Sequence, residues 1–229
     1  MIQTRAVFFD VDFTLIYPGP AFQGEGYREF CGRHGMDVDP DRFPAAVVSA
    51  SHILDREQDA IYDPQIFIDY TAHIIEAMGG RGAAVEPCAV EIYREWAACQ
   101  HFRLYDDVPA ALEALADKDI LVGLISNSHR SLESFQEHFE LDGLIDVAIS
   151  SSEHGYMKPH PSIFEAALKL AGVSAGDAMM VGDSLTQDIE GARRVGMRGV
   201  LVRRADAPAA QSDAGVTVIR SLLELPNVL

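Results

Sequence analysis

Positive charge is what this sequence has least of: 18 lysines and arginines stand against 35 aspartates and glutamates, a formal net charge of −17. So acidic a chain repels nucleic acid and anionic lipid as a whole, which excludes a polyanion-binding surface. A small phosphate ester stays admissible, because one local cationic site outweighs a screened global field. Cysteine is scarce too. Cys31, Cys88 and Cys99 are odd in number and form no close-spaced pair, so they read as small core residues and not as a disulfide or zinc framework. No run approaches the roughly 18 apolar residues of a membrane helix. Asp10 interrupts the apolar run after Met1–Arg5, which argues against a signal peptide. These absences predict a cytoplasmic chain without a membrane or nucleic-acid partner.

What is present suits a globular fold. The 229 residues are 48% hydrophobic and 23% charged, and a chain of this length buries about 70% of its unfolded surface without staples. Short apolar runs rich in β-branched or aromatic residues predict buried parallel strands at 6–11, 120–125, 178–181 and 199–202, with weaker candidates at 147–150 and 216–219. Helical patterns alternate with them at 109–116, 131–139, 161–170 and 185–195, and that alternation implies a doubly wound α/β parallel sheet. One connection is abnormal. About a hundred residues separate Leu15 from Ile120, where a crossover usually takes a few dozen. Helical segments near 22–34, 40–52, 65–78 and 87–99, punctuated by Gly and Pro, fill that interval. The expectation is a core of 1–16 and 103–229 with a helical domain, 17–102, inserted after the first strand. The Ala- and Asp-rich stretch 205–214 reads as a surface loop.

Ligands of a doubly wound sheet bind beyond the carboxyl ends of its strands. The first strand ends in Asp10-Val11-Asp12-Phe13-Thr14-Leu15, the second in Ser126-Asn127-Ser128, and a later one in Gly182-Asp183-Ser184 followed by Asp188. Lys158-Pro159 precedes the helix that Pro161 opens. Asp10 and Asp12, two apart on an extended chain, share a face. Ser184 and Gln187 form a candidate capping box that would place Asp188 one turn into a helix. Two carboxylates 4 Å apart repel by roughly 4 kcal/mol at an effective dielectric of 20, so four at one edge must take up protons or a cation. Oxygen ligands without histidine or cysteine favour Mg2+ over zinc. Ser126 can donate its hydroxyl to a phosphate, backbone N–H groups around Asn127 can face an anion, and the Lys158 ammonium can neutralise a phosphate oxygen and a carboxylate together.

These four segments, in this order and spanning Ala6 to Val202, resemble the four motifs of the haloacid dehalogenase-like superfamily. The resemblance implies a Rossmann-like core with a helical cap between the first and second motifs. It implies a phosphatase-type reaction in which Asp10 is the nucleophile and Asp12 the general acid/base. Mg2+ would sit on Asp10, the backbone carbonyl of Asp12 and Asp183, with Asp188 nearby, while Ser126, Asn127 and Lys158 hold the phosphoryl group. Phe13 stands where the family usually has glycine, so the loop after the nucleophile must accommodate a bulky ring. Dehalogenases of this fold lack a carboxylate at the position of Asp12, which argues against dehalogenation. A phosphomutase shares the core, and a non-catalytic binding protein on the same fold is the other alternative, though it would be expected to lose the nucleophile, Asp12 or the metal ligands, all intact here. Phosphonatases use a lysine in the cap, and none occurs between Leu15 and Trp96.

Specificity is expected from the cap and its borders. Phe13, Tyr17, His52, Arg56 and Tyr62 are the candidates there. His129 and His160 read as turn or helix-capping residues, Met179-Met180 as core strand, and Trp96 as cap core. The partner would be a small phosphorylated metabolite, and the chain a monomer or homodimer.

Overall fold

The structure, a computed structural model, describes residues 4–54, 61–204 and 215–229. It divides into two compact units, Met1–Tyr17 with Leu104–Leu229, and Pro18–Arg103. In chain order, β1 (Ala6–Phe9) and β2 (Ile16–Pro18) lead into α1 (Gly24–Arg33), α2 (Phe43–Leu54), α3 (Pro64–Ala77) and α4 (Val85–Glu95). Then come β3 (Phe102–Leu104), α5 (Val108–Ala116), β4 (Leu121–Ser126), α6 (Leu132–His138), β5 (Val147–Ser150) and α7 (Ser151–His154). The chain closes with α8 (Pro161–Ala171), β6 (Ala178–Gly182), α9 (Gly191–Arg194), β7 (Arg198–Val202) and β8 (Thr217–Ile219).

Six strands form one parallel sheet in the order β5-β4-β1-β6-β7-β8. This is the doubly wound, Rossmann-like α/β fold that the alternating pattern predicted. β1 is the switch point. The chain builds outward from it on one side through β4 and β5, and on the other through β6 to β8, which opens a crevice at the carboxyl edge. Val7, Phe8 and Phe9 are fully buried, because a central parallel strand is covered on both faces. Each such phenylalanine stabilises by roughly 1.5–3 kcal/mol. Phe8 needs a bare neighbour: a Cβ on Gly123 would lie 2.3 Å from its ring. On that face Phe8, Ile125 and Met180 pack with Ile163 and Phe164 of α8. Caps set the helix ends. Ser131 accepts from the Ser134 N–H at the start of α6, the His160 ring accepts from the Ser162 N–H at the start of α8, and Gly172 ends α8 in the left-handed region.

Three local expectations need correction. α4 stops at Glu95 instead of reaching Cys99, and Cys99–His101 forms a separate 3-10 turn. β2 and β3, which the sequence pattern did not suggest, pair as a two-stranded ribbon; three-residue strands are too short to show alternation. The helix expected over 185–195 is a π-helical turn, Leu185–Glu190, followed by the short α9. There the Ile189 N–H reaches back five residues to the Ser184 carbonyl (3.3 Å), and the widened turn carries Asp188 inward.

The unit Pro18–Arg103 is helical. α1 to α4 bury Tyr27, Phe30, Ile74, Ile75 and Ile92 along their apolar stripes. Phe22, Trp96 and Phe102 pack in tilted and edge-to-face pairs with ring centroids 4.5 to 5.4 Å apart. Among the described residues, no helix is long and apolar enough to cross a membrane.

Candidate active site

The carboxyl ends of β1, β4 and β6 and the loop before α8 converge in the first unit. Asp10 follows β1, and its N–H donates to the Val181 carbonyl of β6 (2.9 Å), which locks the loop start to the neighbouring strand. The carboxylate is buried. Lys158 Nζ donates to Asp10 Oδ1 (2.6 Å) and to Asp188 Oδ1 (2.6 Å). Asp188 Oδ2 accepts from the Ser184 N–H (3.0 Å). Gly182 makes room for it, since a Cβ there would meet Asp188 Oδ2 at 2.2 Å. Oxygens of Asp10, Asp183 and Asp188 all lie within 4.8 Å of one another.

Two carboxylates therefore share one ammonium, and a third, Asp183, lies beside them. Burial, partly offset by Lys158 and reinforced by Asp188, pushes the Asp10 carboxyl up to about 7. Burial, with Asp10 and Asp188 beside it, also raises Asp183 well above the usual carboxylate range. Burial pulls the Lys158 ammonium down, yet the two carboxylates outweigh this and hold it above its ordinary value. Such a cluster, with oxygen donors alone and more negative charge than one lysine neutralises, fits a hard divalent cation such as Mg2+.

Asp12 takes a different partner from the cluster. Arg130 Nη1 donates to both of its carboxylate oxygens (3.1 Å each), and the guanidinium-bearing side chain is fully buried. The sequence reading missed Arg130. Nothing in the pattern Ser128-His129-Arg130 distinguishes a buried arginine from a solvated one; only the fold shows which way it turns. Ser128, named at the strand end but given no role, accepts through its Oγ from the Ser126 hydroxyl (2.9 Å). Ser126 itself is buried at the end of β4. The proposed capping box is half present: Ser184 Oγ accepts from the Gln187 N–H, whereas the Gln187 side chain accepts from Asn127 Nδ2 (3.2 Å).

Phe13 follows Asp12 with φ +64°, the left-handed region, and the residue is 44% exposed. That backbone explains why glycine suits this position, since a side chain there costs about 1–2 kcal/mol. Tyr17 packs at a tilt against Tyr105 (4.8 Å between centroids). His52 is exposed in the helical unit and pairs through Nδ1 with the Ser49 carbonyl (2.8 Å), and the Tyr62 hydroxyl pairs with that of Tyr93 (2.5 Å). Arg56 lies outside the described residues, as does the stretch 205–214.

A parallel sheet whose winding reverses at a strand that ends in a buried aspartate, with lysine and further carboxylates beside it, defines a Rossmann-like core with an acidic site at its carboxyl edge. The profile of the haloacid dehalogenase-like hydrolases matches residues 4–196, and the chain belongs to that family. It is 30% identical to the human (Homo sapiens) N-acylneuraminate-9-phosphatase over 99% of this chain and 94% of that protein. A haloacid dehalogenase-type phosphatase from Thermococcus onnurineus superposes with a TM-score of 0.65 at 26% identity, covering 98% of this chain and 97% of that one. A 2-haloacid dehalogenase from Pseudomonas syringae matches equally, with TM-score 0.65, 26% identity and coverage of 99% and 98%. The chain is an enzyme of the phosphatase type within this family.

Proposed function

We propose that this enzyme hydrolyses a small phosphate monoester through an aspartyl-phosphate on Asp10, with Mg2+ as its cofactor. The observation that carries the reading is the crowding of Asp10, Asp183 and Asp188 against one another, with the Lys158 ammonium bound to Asp10 and Asp188. Asp10, Asp183 and Asp188, with the backbone carbonyl of Asp12, would hold the metal. When bound, the ion supplies charge neutralisation to carboxylates and phosphoryl oxygens that must approach each other.

The chain's own groups do the rest. An Asp10 carboxylate oxygen attacks phosphorus, and the bond to the leaving oxygen breaks as that oxygen takes a proton from Asp12. Water then attacks the phosphorus of the aspartyl-phosphate and gives a proton to Asp12, and the P–O bond to Asp10 breaks, releasing inorganic phosphate and freeing the Asp10 carboxylate. Arg130, bound to both oxygens of Asp12, limits the orientations that carboxylate can take. Lys158 and Ser126 would bind the phosphoryl oxygens, and the Asp12 carboxylate supports phosphate transfer over dehalogenation. Phe13, Tyr17, His52, Arg56 and Tyr62 remain the proposed specificity residues, in or beside a cap of about 17–102 joined to a core of 1–16 and 103–229. The acidic composition and three buried free cysteines support a cytoplasmic setting.

The test is release of inorganic phosphate from p-nitrophenyl phosphate and from a panel of phosphorylated metabolites, with Mg2+ and with EDTA. N-acylneuraminate 9-phosphate, from the name of the human relative, heads the panel. Phosphate release with Mg2+ and none with EDTA is expected. No metal-dependent release from any member would overturn the reading.

A further inference from the structure

Lys158 must meet Asp10 and Asp188 at once, yet it sits in a loop and not on a strand, so something has to fix the loop. The residue that touches its main chain is Asn127. Asn127 Oδ1 accepts from the Lys158 N–H (2.7 Å), and Nδ2 donates to the Lys158 carbonyl (3.0 Å). Nδ2 also donates to Gln187 Oε1 (3.2 Å), in the π-helical turn that carries Asp188. One carboxamide at the end of β4 thus joins the lysine loop and the Asp188 turn. The requirement is narrow. Ionised aspartate has no donor for a carbonyl, leucine has neither group, and a carboxamide offers an acceptor and a donor side by side for the N–H and C=O of one residue.

The geometry points to Asn127 as a positioning residue for Lys158: its side chain sets where the ammonium falls between the two carboxylates. This role is separate from the backbone N–H groups around Asn127 that would face a phosphate, and it rests on the phosphoryl-transfer reading of the site. Lysine has a long, flexible stem. Here it is held at both ends, by the Asn127 clamp at its backbone and by Asp10 and Asp188 at its tip. Releasing the backbone end lets the loop drift, and a displacement of about 1 Å in a positioned group costs about a hundredfold in rate.

The experiment compares the full-length wild type with Asn127→Ala, Gln187→Ala and Asn127→Asp. The readouts are turnover of p-nitrophenyl phosphate with Mg2+, inhibition by orthovanadate, and hydrogen exchange of the Lys158 amide. In Asn127→Ala, kcat should fall about a hundredfold and vanadate inhibition should weaken with it. The Lys158 amide should exchange about tenfold faster, the equivalent of one lost hydrogen bond. Gln187→Ala, which removes one bond of the three, should show a smaller fall in kcat. If Asn127→Ala proves unfolded, Asn127→Asp keeps the oxygen that accepts from Lys158 N–H. It should keep wild-type protection there while kcat falls. Wild-type kcat in Asn127→Ala, or an unprotected Lys158 amide in Asn127→Asp, would overturn the inference. A wild type without metal-dependent turnover would instead sink the phosphatase reading, and the exchange data would still judge the clamp.

Discussion

At the scale of single residues the site is an electrostatic compromise. In the proposed reaction Asp10 has to be a nucleophilic anion, yet burial and the Asp188 and Asp12 carboxylates oppose its charge, and Lys158 offsets only part of that. Asp10→Asn keeps the shape and leaves Lys158 its contact with Asp188. We expect a folded protein with no detectable phosphate release, and near wild-type release would remove Asp10 from its role. Phe13 poses a backbone question. Relief of its left-handed strain, about 1–2 kcal/mol, is opposed by the freedom that glycine adds to the unfolded chain, about 0.5–1 kcal/mol. Phe13→Gly should therefore change stability in urea by no more than about 1.5 kcal/mol. Phe13→Ile, β-branched at a positive φ, should be clearly destabilising. A stable Phe13→Ile would show that the loop can leave this conformation freely.

At the scale of elements, close approach does the positioning. The end of β6 lies against the turn bearing Asp188 because residue 182 has no side chain. Gly182→Ala should push the Asp188 carboxylate aside at a cost of about 1–3 kcal/mol, and raise the Mg2+ concentration needed for activity. Unchanged Mg2+ dependence would mean Asp188 is not held by this contact. A second junction ties the start of α5 to the chain's C-terminal turn. Asp107 Oδ2 accepts from Arg204 Nη1 (2.6 Å), the Ser221 hydroxyl (2.7 Å) and the Leu222 N–H (2.8 Å), while Arg204 lies over the Tyr105 ring. Burial raises the Asp107 carboxyl, but these donors outweigh it and hold it below its ordinary value. A depressed acid stabilises the fold above its unfolded pKa of about 4, and that contribution disappears as pH falls through the folded value. Asp107→Asn should cost about 2 kcal/mol at neutral pH and less in acid. A loss equal at both pH values would contradict the ionic account.

At the scale of the whole molecule, a metal that binds the folded site and not the unfolded chain must stabilise the protein. At a hundred times its dissociation constant Mg2+ should add about 2.7 kcal/mol, which raises Tm by about 5–10 °C in a chain of this size. Asp183→Ala should lose most of that shift while keeping its circular dichroism spectrum. A wild-type Tm indifferent to Mg2+ would count against the metal site. The net charge of −17 sharpens the same point, since a strongly acidic protein relieves self-repulsion by taking up cations.

How much of this was readable beforehand follows from the range of the interactions. Buried parallel strands must be apolar along their whole length, so the sheet at Ala6–Phe9, Leu121–Ser126, Ala178–Gly182 and Arg198–Val202 was visible as runs of such residues. The long gap between the first two strands likewise showed that helices had been inserted, and the ordered motifs placed the chain in its family. Properties of one residue type were legible as well: Phe13 in a glycine position, oxygen ligands suited to Mg2+. What the linear pattern could not carry is mutual geometry. Arg130 turns inward to Asp12, Gln187 leaves its helix cap for Asn127, and Asn127 grips Lys158 thirty-one residues away. Those pairings depend on distances that exist only after the strands have stacked side by side. Local chemistry chooses which groups arrive at the sheet edge, and tertiary packing alone decides which of them touch.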